Sequence, residues 1–283
     1  SVYLLFHKEL FDNYRLDYPY ELVKSGKWTL DKFTELVKDK YIDLNGNSEH
    51  DIDDMYGMSS FEIVYHYLYF SAGGRIVSRG DNGFKYEMDT DRSISIVEKL
   101  VTLIDSEDTY PDDLYDSANC YRNFTDGHSL FCLYTSSFYA LRDIEFDFGI
   151  LPLPKYDETQ ENYMSYQVGG ICAMPSTVTD TAFASAVTEA LFSTSAKVMT
   201  EPFIQKFVEN KLLRDEGSQE MYRILTETAS YEITRLVDPT SGVVIDLKPI
   251  LDLIIARSTD VSSKWASIKD RVTKSYDKIY NQE

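Results

Sequence analysis

The chain has 283 residues, 43% hydrophobic and 27% charged. That is enough for a sizeable buried core and, at about 150 residues per domain, for roughly two domains. Its formal net charge of −19 argues against nucleic acid and anionic membrane surfaces as partners, since both select clustered Lys and Arg. No run approaches the ~18 apolar residues of a membrane span, so no direct membrane insertion is expected. Cys120, Cys132 and Cys172 are odd in number and lack CxxC spacing. They read as small core hydrophobes rather than a closed disulfide framework. The 22 Tyr and 15 Phe admit two readings. They fill semi-buried positions, or they offer flat faces with polar tips that grip ligands such as sugars.

The opening Ser1-Val2-Tyr3-Leu4-Leu5-Phe6 is a continuous apolar run of buried-strand type. It has no initiator Met, no polar lead-in and no signal peptide, so a missing front end is expected. Thr29 can N-cap a helix carrying Leu30, Phe33, Leu36 and Val37 on one face, with Trp28 and Phe33 at the two positions of a hydrophobic staple. Asp43 to Asp54 then reads DLNGNSEHDIDD. Counting Asp43 as position 1, oxygen side chains fall at Asn45, Asn47, Asp51 and Asp54, with the Glu49 carbonyl at position 7, as in an EF-hand calcium loop. Ser48 replaces the usual Gly and Asp54 the usual Glu, and a polar surface loop is the competing reading. Calcium is the one candidate cofactor.

The run FEIVYHYLYF, Phe61 to Phe70, is apolar nearly all round and ends at Gly73-Gly74, which predicts a buried helix. Tyr65, His66, Tyr67 and Tyr69 nevertheless carry polar tips, so core and ligand contact both stand. Ile94, Val97, Leu100, Val101 and Ile104 keep helical spacing behind the cap-like Asp89-Thr90-Asp91. The acidic run from Asp105 to Asp116, which includes Glu107, Asp108, Asp112 and Asp113, reads as a solvated loop. Leu130 to Tyr134 and Ile171 to Met174 look like buried strands, and Phe146, Phe148 and Ile150 alternate as on a half-buried one. Phe183, Val187, Ala190 and Leu191 share a helix face, and Val261, Trp265, Ile268, Val272, Tyr276 and Ile279 form a long closing stripe. Helices and strands interleaved in this way indicate α/β.

Enzyme signatures are absent: there is no HExxH, P-loop, GxSxG or GxGxxG. His7, His50, His66 and His128 show no ligand-type pairing. A protein that binds without chemistry is expected. A glycoside hydrolase using two carboxylates is the least favoured alternative. Arg79-Gly80-Asp81 and the sequon Asn123-Phe124-Thr125 are short enough to be coincidence.

Taken in order, LLFHKELFDNYRL (4–16), GKWTLDKFTELVK (26–38), DLNGNSEHDIDDMYG (43–57), YFSAGGRIV (69–77), FTDGHSLFCLYTSSFYAL (124–141), FDFGILPLPK (146–155), VGGICAMPS (168–176) and STDVSSKWASIKDRVTKSYDKI (258–279) resemble bacterial extracellular solute-binding proteins, family 1, the maltose-binding-protein-like group. The resemblance spans nearly the whole chain. It implies a periplasmic-binding-protein-like (class II) α/β fold with two lobes, lacking the first part of the N-terminal lobe. Residues 1–148 would form the second lobe. Residues 149–283 would hold the return crossing, the remainder of the first lobe and C-terminal helices shared between lobes. It also implies carbohydrate capture in the interlobe cleft and ABC importer permease subunits as partners. The setting would be extracellular, in a Gram-positive bacterium, lipid-anchored through an N-terminus absent from this chain. Peptide or polyol binding and a degenerate scaffolding role are the alternatives.

The residues the resemblance brings to the ligand are Tyr65, His66 and Tyr69 before the Gly-Gly turn, Ser137, Phe138 and Tyr139 where the family carries a tryptophan, and Gly169-Gly170 at the second crossing.

Overall fold

The fold is taken from a computed structural model that describes residues 2–61, 64–81, 83–110, 117–134, 141, 144–167, 172–200, 203–204, 208, 213, 215–230 and 248–280. Strands and helices run in the order β1 (Tyr3–His7), α1 (Lys8–Asn13), α2 (Tyr20–Lys24), α3 (Leu30–Val37), β2 (Tyr56–Ser60), α4 (Tyr65–Ser71), β3 (Val77–Gly80), β4 (Gly83–Tyr86), α5 (Asp91–Ile104), α6 (Ser117–Thr125) and β5 (Ser129–Tyr134). They continue with β6 (Phe148–Leu151), β7 (Ser165–Tyr166), α7 (Thr181–Ser195), a π-helical turn (Ala196–Thr200), α8 (Glu216–Glu227), β8 (Ala229–Ser230), α9 (Lys248–Ile255) and α10 (Val261–Tyr280).

The main sheet has the order β2-β5-β1-β6. β1 is antiparallel to both β5 and β6, and β2 is parallel to β5. β2, β5 and β6 therefore point one way and β1 the other. Every residue of β1 is buried, which explains its unbroken apolar run: a strand covered on both faces has no side free for polar residues. β6 is likewise buried at all four positions, so its expected alternation gives way to a fully interior strand. β2 lies close against the end of α3. A Cβ on Gly57 would stand 2.0 Å from the Val37 carbonyl oxygen, so only glycine allows the approach.

Local chemistry accounts for the helices. Thr29 caps α3 by accepting the Lys32 N–H, and Thr90 caps α5 by accepting the Ser93 N–H. The Trp28 and Phe33 rings meet edge-on at 5.6 Å, as the staple requires. α10 buries Val261, Trp265, Ile268, Val272 and Tyr276. Its stripe lies on the β3–β4 hairpin, where Phe84 meets Tyr276 at 4.7 Å and Tyr86 meets Trp265 at 5.8 Å. The Ile279 side chain lies outside the described residues.

Three expectations are corrected. Residues 172–174 form no strand and are exposed, so Cys172 is not a core residue, unlike the buried Cys120 and Cys132. α7 forms as its spacing predicts, but not one of its fifteen residues is buried. Asp108 is buried rather than solvated, because its carboxylate binds three backbone N–H groups. The sequon, by contrast, behaves as a coincidental match, since its Asn123 is buried and donates its amide to the carbonyls of Ile52 and Asp54.

His7 gives the fold a pH dependence. Its ring is buried, stacks on Phe146 at 3.8 Å, and accepts the Leu10 N–H at Nδ1, which caps α1. Burial lowers its pKa from 6.5 to about 4. The unfolded chain therefore takes up a proton near pH 6.5 that the folded chain resists until about pH 4. Stability is expected to fall as pH drops through that window, by about 2 kcal/mol after allowing for partial solvation. Chemical denaturation at pH 7 and pH 4.5 reads this. In His7→Asn the component should vanish, and an unchanged pH slope in that variant would exclude His7 as its source.

Candidate functional site

The parallel strands converge on one end of the sheet. There Ser60 is paired with Leu133, Tyr3 with Tyr134, and Leu4 with Leu151. The carboxyl ends of β2, β5 and β6 thus lie beside the amino end of β1. In open α/β sheets ligands bind outside the carboxyl ends of the strands. The chain leaves β2 there toward α4 and leaves β5 there into residues 135–140. Next to β1, the Val2 N–H donates to the Tyr166 carbonyl at 3.2 Å, which ties β7 to the same end.

α4 carries the aromatic run of the sequence. All seven of its residues are buried, as a helix apolar on every side demands. Its chain turns off at Gly73, whose φ of +83° only glycine adopts without strain. Tyr67 packs against Tyr166 at 4.7 Å, His66 lies edge-on to Tyr166 at 6.1 Å, and Phe70 does so at 5.0 Å. The Ser71 hydroxyl donates to the Pro154 carbonyl at 3.0 Å. An aromatic cluster therefore bridges α4 and β7, which is tied to the amino end of β1.

Of the residues expected at a ligand, Tyr65 and His66 are on this helix and buried. Tyr69 is on the same helix and is also buried. Its hydroxyl reaches Ser93 Oγ at 2.6 Å and the Arg75 carbonyl at 3.1 Å, and its ring fills the space above Gly74. It faces α5, on another side of the helix from Tyr166, and belongs to the core. Ser137, Phe138, Tyr139, Gly169 and Gly170 lie outside the described residues.

Two groups escape the sequence reading. Tyr166 joins the cluster only because β7 is brought to α4, and nothing in MSYQV marks it. Ser60 is buried at the last position of β2, and its hydroxyl has no partner among the described residues. Its neighbour Ser59 is satisfied by Ser129 at 2.9 Å. Alternation alone could have separated the two, once β2 was known to be a strand.

A groove of about 550 Å³ lies elsewhere, lined by Leu22, Lys27, Thr29, Asp31, Lys32, Glu35, Asp157 and Glu158. It holds no aromatic side chain, so it lacks the stacking surface that the sequence led us to expect.

The loop Asp43–Asp54 is closed by the Ile42–Met55 bridge. Asp43 accepts the N–H groups of Gly46 and Ser48, and Asp51 accepts the amides of Asn45 and Asn47. Asp54, fully buried, accepts from the Leu44 N–H and the Tyr41 hydroxyl. Glu49 stands in the exposed part of the loop, its N–H donated to Asn47. Among the described residues no group of three or more His, Cys, Asp or Glu is arranged to hold a metal ion.

No protein-family model matches this sequence, and no curated protein matches it in sequence. Solved structures do match in shape. A cyclo/maltodextrin-binding protein complexed with maltotetraose shares 14% identity at a TM-score of 0.59, over 100% of this chain and 69% of that one. UgpB from Mycobacterium tuberculosis, in complex with glycerophosphocholine, gives 13% identity and 0.57, over 98% and 69%. The GacH receptor of Streptomyces glaucescens, solved unliganded and with acarbose, gives 15% and 0.58, again over 98% and 69%. At such identities the likeness concerns architecture. That architecture is the periplasmic-binding-protein-like α/β fold, which this chain shares.

Proposed function

We propose that this protein captures a carbohydrate for an ABC importer, holding it between two lobes without chemistry. The observation that carries the reading is the aromatic cluster of His66, Tyr67 and Tyr166 at the carboxyl end of the sheet, on a fold whose solved examples include a maltodextrin-binding protein and an acarbose receptor. Aromatic faces stack on the polarised C–H groups of a pyranose, and a few polar groups fix its hydroxyls. Ser60 supplies one such group. In this reading residues 1–148 form one lobe, and 149–283 the return crossing, the remainder of the other lobe and C-terminal helices shared between the two, with closure about the crossing strands β1 and β6. Tyr65, His66, Tyr69, Ser137, Phe138, Tyr139, Gly169 and Gly170 are its proposed contacts. The reading sets the protein outside a Gram-positive cell, lipid-anchored, delivering to permease subunits. No described helix is long and apolar enough to cross a membrane.

The runner-up is a phosphodiester or other non-sugar solute, favoured by the match to UgpB with its glycerophosphocholine. Thermal melting of the protein as its own cells make it, against maltodextrins, acarbose and glycerophosphocholine, separates the two. A true ligand at 100-fold excess over Kd adds about 2.7 kcal/mol, a shift of roughly 5 to 10 °C at this size. A shift with glycerophosphocholine alone favours the runner-up, and none with any sugar removes the carbohydrate reading.

The loop Asp43–Asp54 carries a separate proposal, a structural calcium ion. Its support is the spacing of Asp43, Asn45, Asn47, Asp51 and Asp54, with the backbone turned through left-handed φ at Gly46 and Ser48. In the same melting experiment EDTA should lower the transition and added calcium restore it. An unmoved transition means hydrogen bonds close the loop alone.

A further inference from the structure

Gln160 uses every hydrogen-bonding group it has. Its side-chain Oε1 accepts from Arg92 Nη2 at 2.8 Å and from the Tyr156 N–H at 3.1 Å. Its Nε2 donates to the Ser71 carbonyl at 2.8 Å and to the Asn162 carbonyl at 3.0 Å. Its own N–H donates to Asp157 Oδ1 at 3.1 Å, and its carbonyl accepts from the buried Lys155 ammonium at 2.7 Å. An amide side chain offers two donors and two acceptor sites, so this one is saturated. Residues 156–164 form no helix or strand. In such a segment a fully satisfied polar network is what supplies rigidity.

What the network fixes is the approach to β7. Ser71 is the last residue of α4, and Arg92 lies in the first turn of α5. Arg92 also donates to the Ala72 carbonyl at 2.9 Å and lies 4.4 Å over the Tyr156 ring. The segment is thus fastened to the end of the helix whose Tyr67 and Phe70 pack on Tyr166. Arg75 repeats the tie further along. Its guanidinium lies 3.8 Å over the Phe70 ring and donates to Met164 Sδ at 3.5 Å, two residues before Tyr166.

We propose that Gln160 is a positioning residue of the carbohydrate site. It touches no ligand. It holds Tyr166 against Tyr67 and Phe70 before a ligand arrives, so the stacking surface is preformed and binding carries a smaller ordering cost. Its effect on affinity rests on the carbohydrate reading, whereas its effect on the cluster rests on geometry alone.

The test compares the wild type with Gln160→Ala and Gln160→Glu. In Gln160→Glu a carboxylate oxygen replaces Nε2 and meets the Ser71 and Asn162 carbonyls, while the contact with Arg92 becomes an ion pair. A residue that only stabilised the fold would keep its role in that variant, and a positioning residue would lose it. Both variants should bind the sugar that stabilises the wild type about tenfold more weakly by calorimetry, with the urea midpoint of Gln160→Glu staying near that of the wild type. Nuclear Overhauser contacts from the Tyr166 ring to the Tyr67 and Phe70 rings, present in the unliganded wild type, should weaken in both. Wild-type affinity in Gln160→Glu, or unchanged ring contacts in both variants, overturns the proposal. If no sugar binds the wild type, the carbohydrate reading falls, and the ring contacts still decide whether Gln160 places Tyr166.

Discussion

Trp28→Ala is expected to cost about 3 to 5 kcal/mol of stability. Trp28 is fully buried, with Phe33 edge-on at 5.6 Å and Phe131 at 6.1 Å. Its indole N–H donates to the Pro152 carbonyl at 2.8 Å, and its own carbonyl accepts the Lys155 N–H at 3.1 Å. One side chain thus joins the start of α3, the centre of the sheet and the chain leaving β6. Truncation removes the buried rings' contacts, leaves a cavity that the sheet cannot collapse into, and strands the Pro152 carbonyl. Trp28→Phe keeps most of the packing and should cost about 1 to 3 kcal/mol, mainly through that carbonyl. Urea denaturation followed by circular dichroism reads both, and Trp265 remains as the fluorescent reporter. A loss below about 1 kcal/mol for Trp28→Ala would mean that the crossing segment is held by other contacts.

Asp108→Ala should cost about 2 to 4 kcal/mol. The Asp108 carboxylate accepts the N–H groups of Asp39, Lys40 and Tyr41 at 2.9, 2.6 and 2.8 Å, and the Ser106 hydroxyl at 3.1 Å. Its backbone carbonyl meanwhile accepts from Gly57 and Met58. The turn it holds includes Asp39 at a φ of +58°, a left-handed conformation that a non-glycine residue keeps only under constraint. Burial pushes the Asp108 carboxyl up, but the N–H groups of Lys40, Tyr41 and Asp39 outweigh it and hold the pKa below the usual carboxylate range. The sign follows. A depressed folded pKa gives stability that is complete above the unfolded value near pH 4 and is lost as pH falls through the folded one. Asp108→Asn keeps the shape without the charge, so its deficit against the wild type should shrink on acidification from pH 5 toward pH 3. A deficit constant over that range would show that the carboxylate's charge is not what holds the turn.

Both residues mark where local pattern stops being informative. Trp28 was legible as half of a staple, since Thr29 and the spacing of Leu30, Phe33 and Leu36 are local facts. That it also ties down Pro152, 124 positions away, was not. Asp108 sat in an acidic run whose composition says solvent. It is buried because a turn from residues 39 to 41 happens to need an acceptor, and no local pattern contains that turn. The candidate site divides the same way. The run from Phe61 to Phe70 announces a buried aromatic helix, and α4 is one. Which of its polar tips faces the sheet end and which faces α5 depends on how the helix is rotated, so the contact of Tyr69 with Ser93 and the presence of Tyr166 were not legible.

By itself, then, the sequence determined the things that neighbours in the chain decide: the caps Thr29 and Thr90, the stripes of α5 and α10, the interior run of β1, and the helical period of α7. Only the tertiary structure decided what each apolar face meets. α10 and α7 both carry large apolar side chains, yet Trp265 and Tyr276 lie against the β3–β4 hairpin while Phe183 and Leu191 are exposed. Periodicity sets which way a side chain points from its own backbone. Burial needs a second surface, and that surface is fixed by contacts far away in the chain.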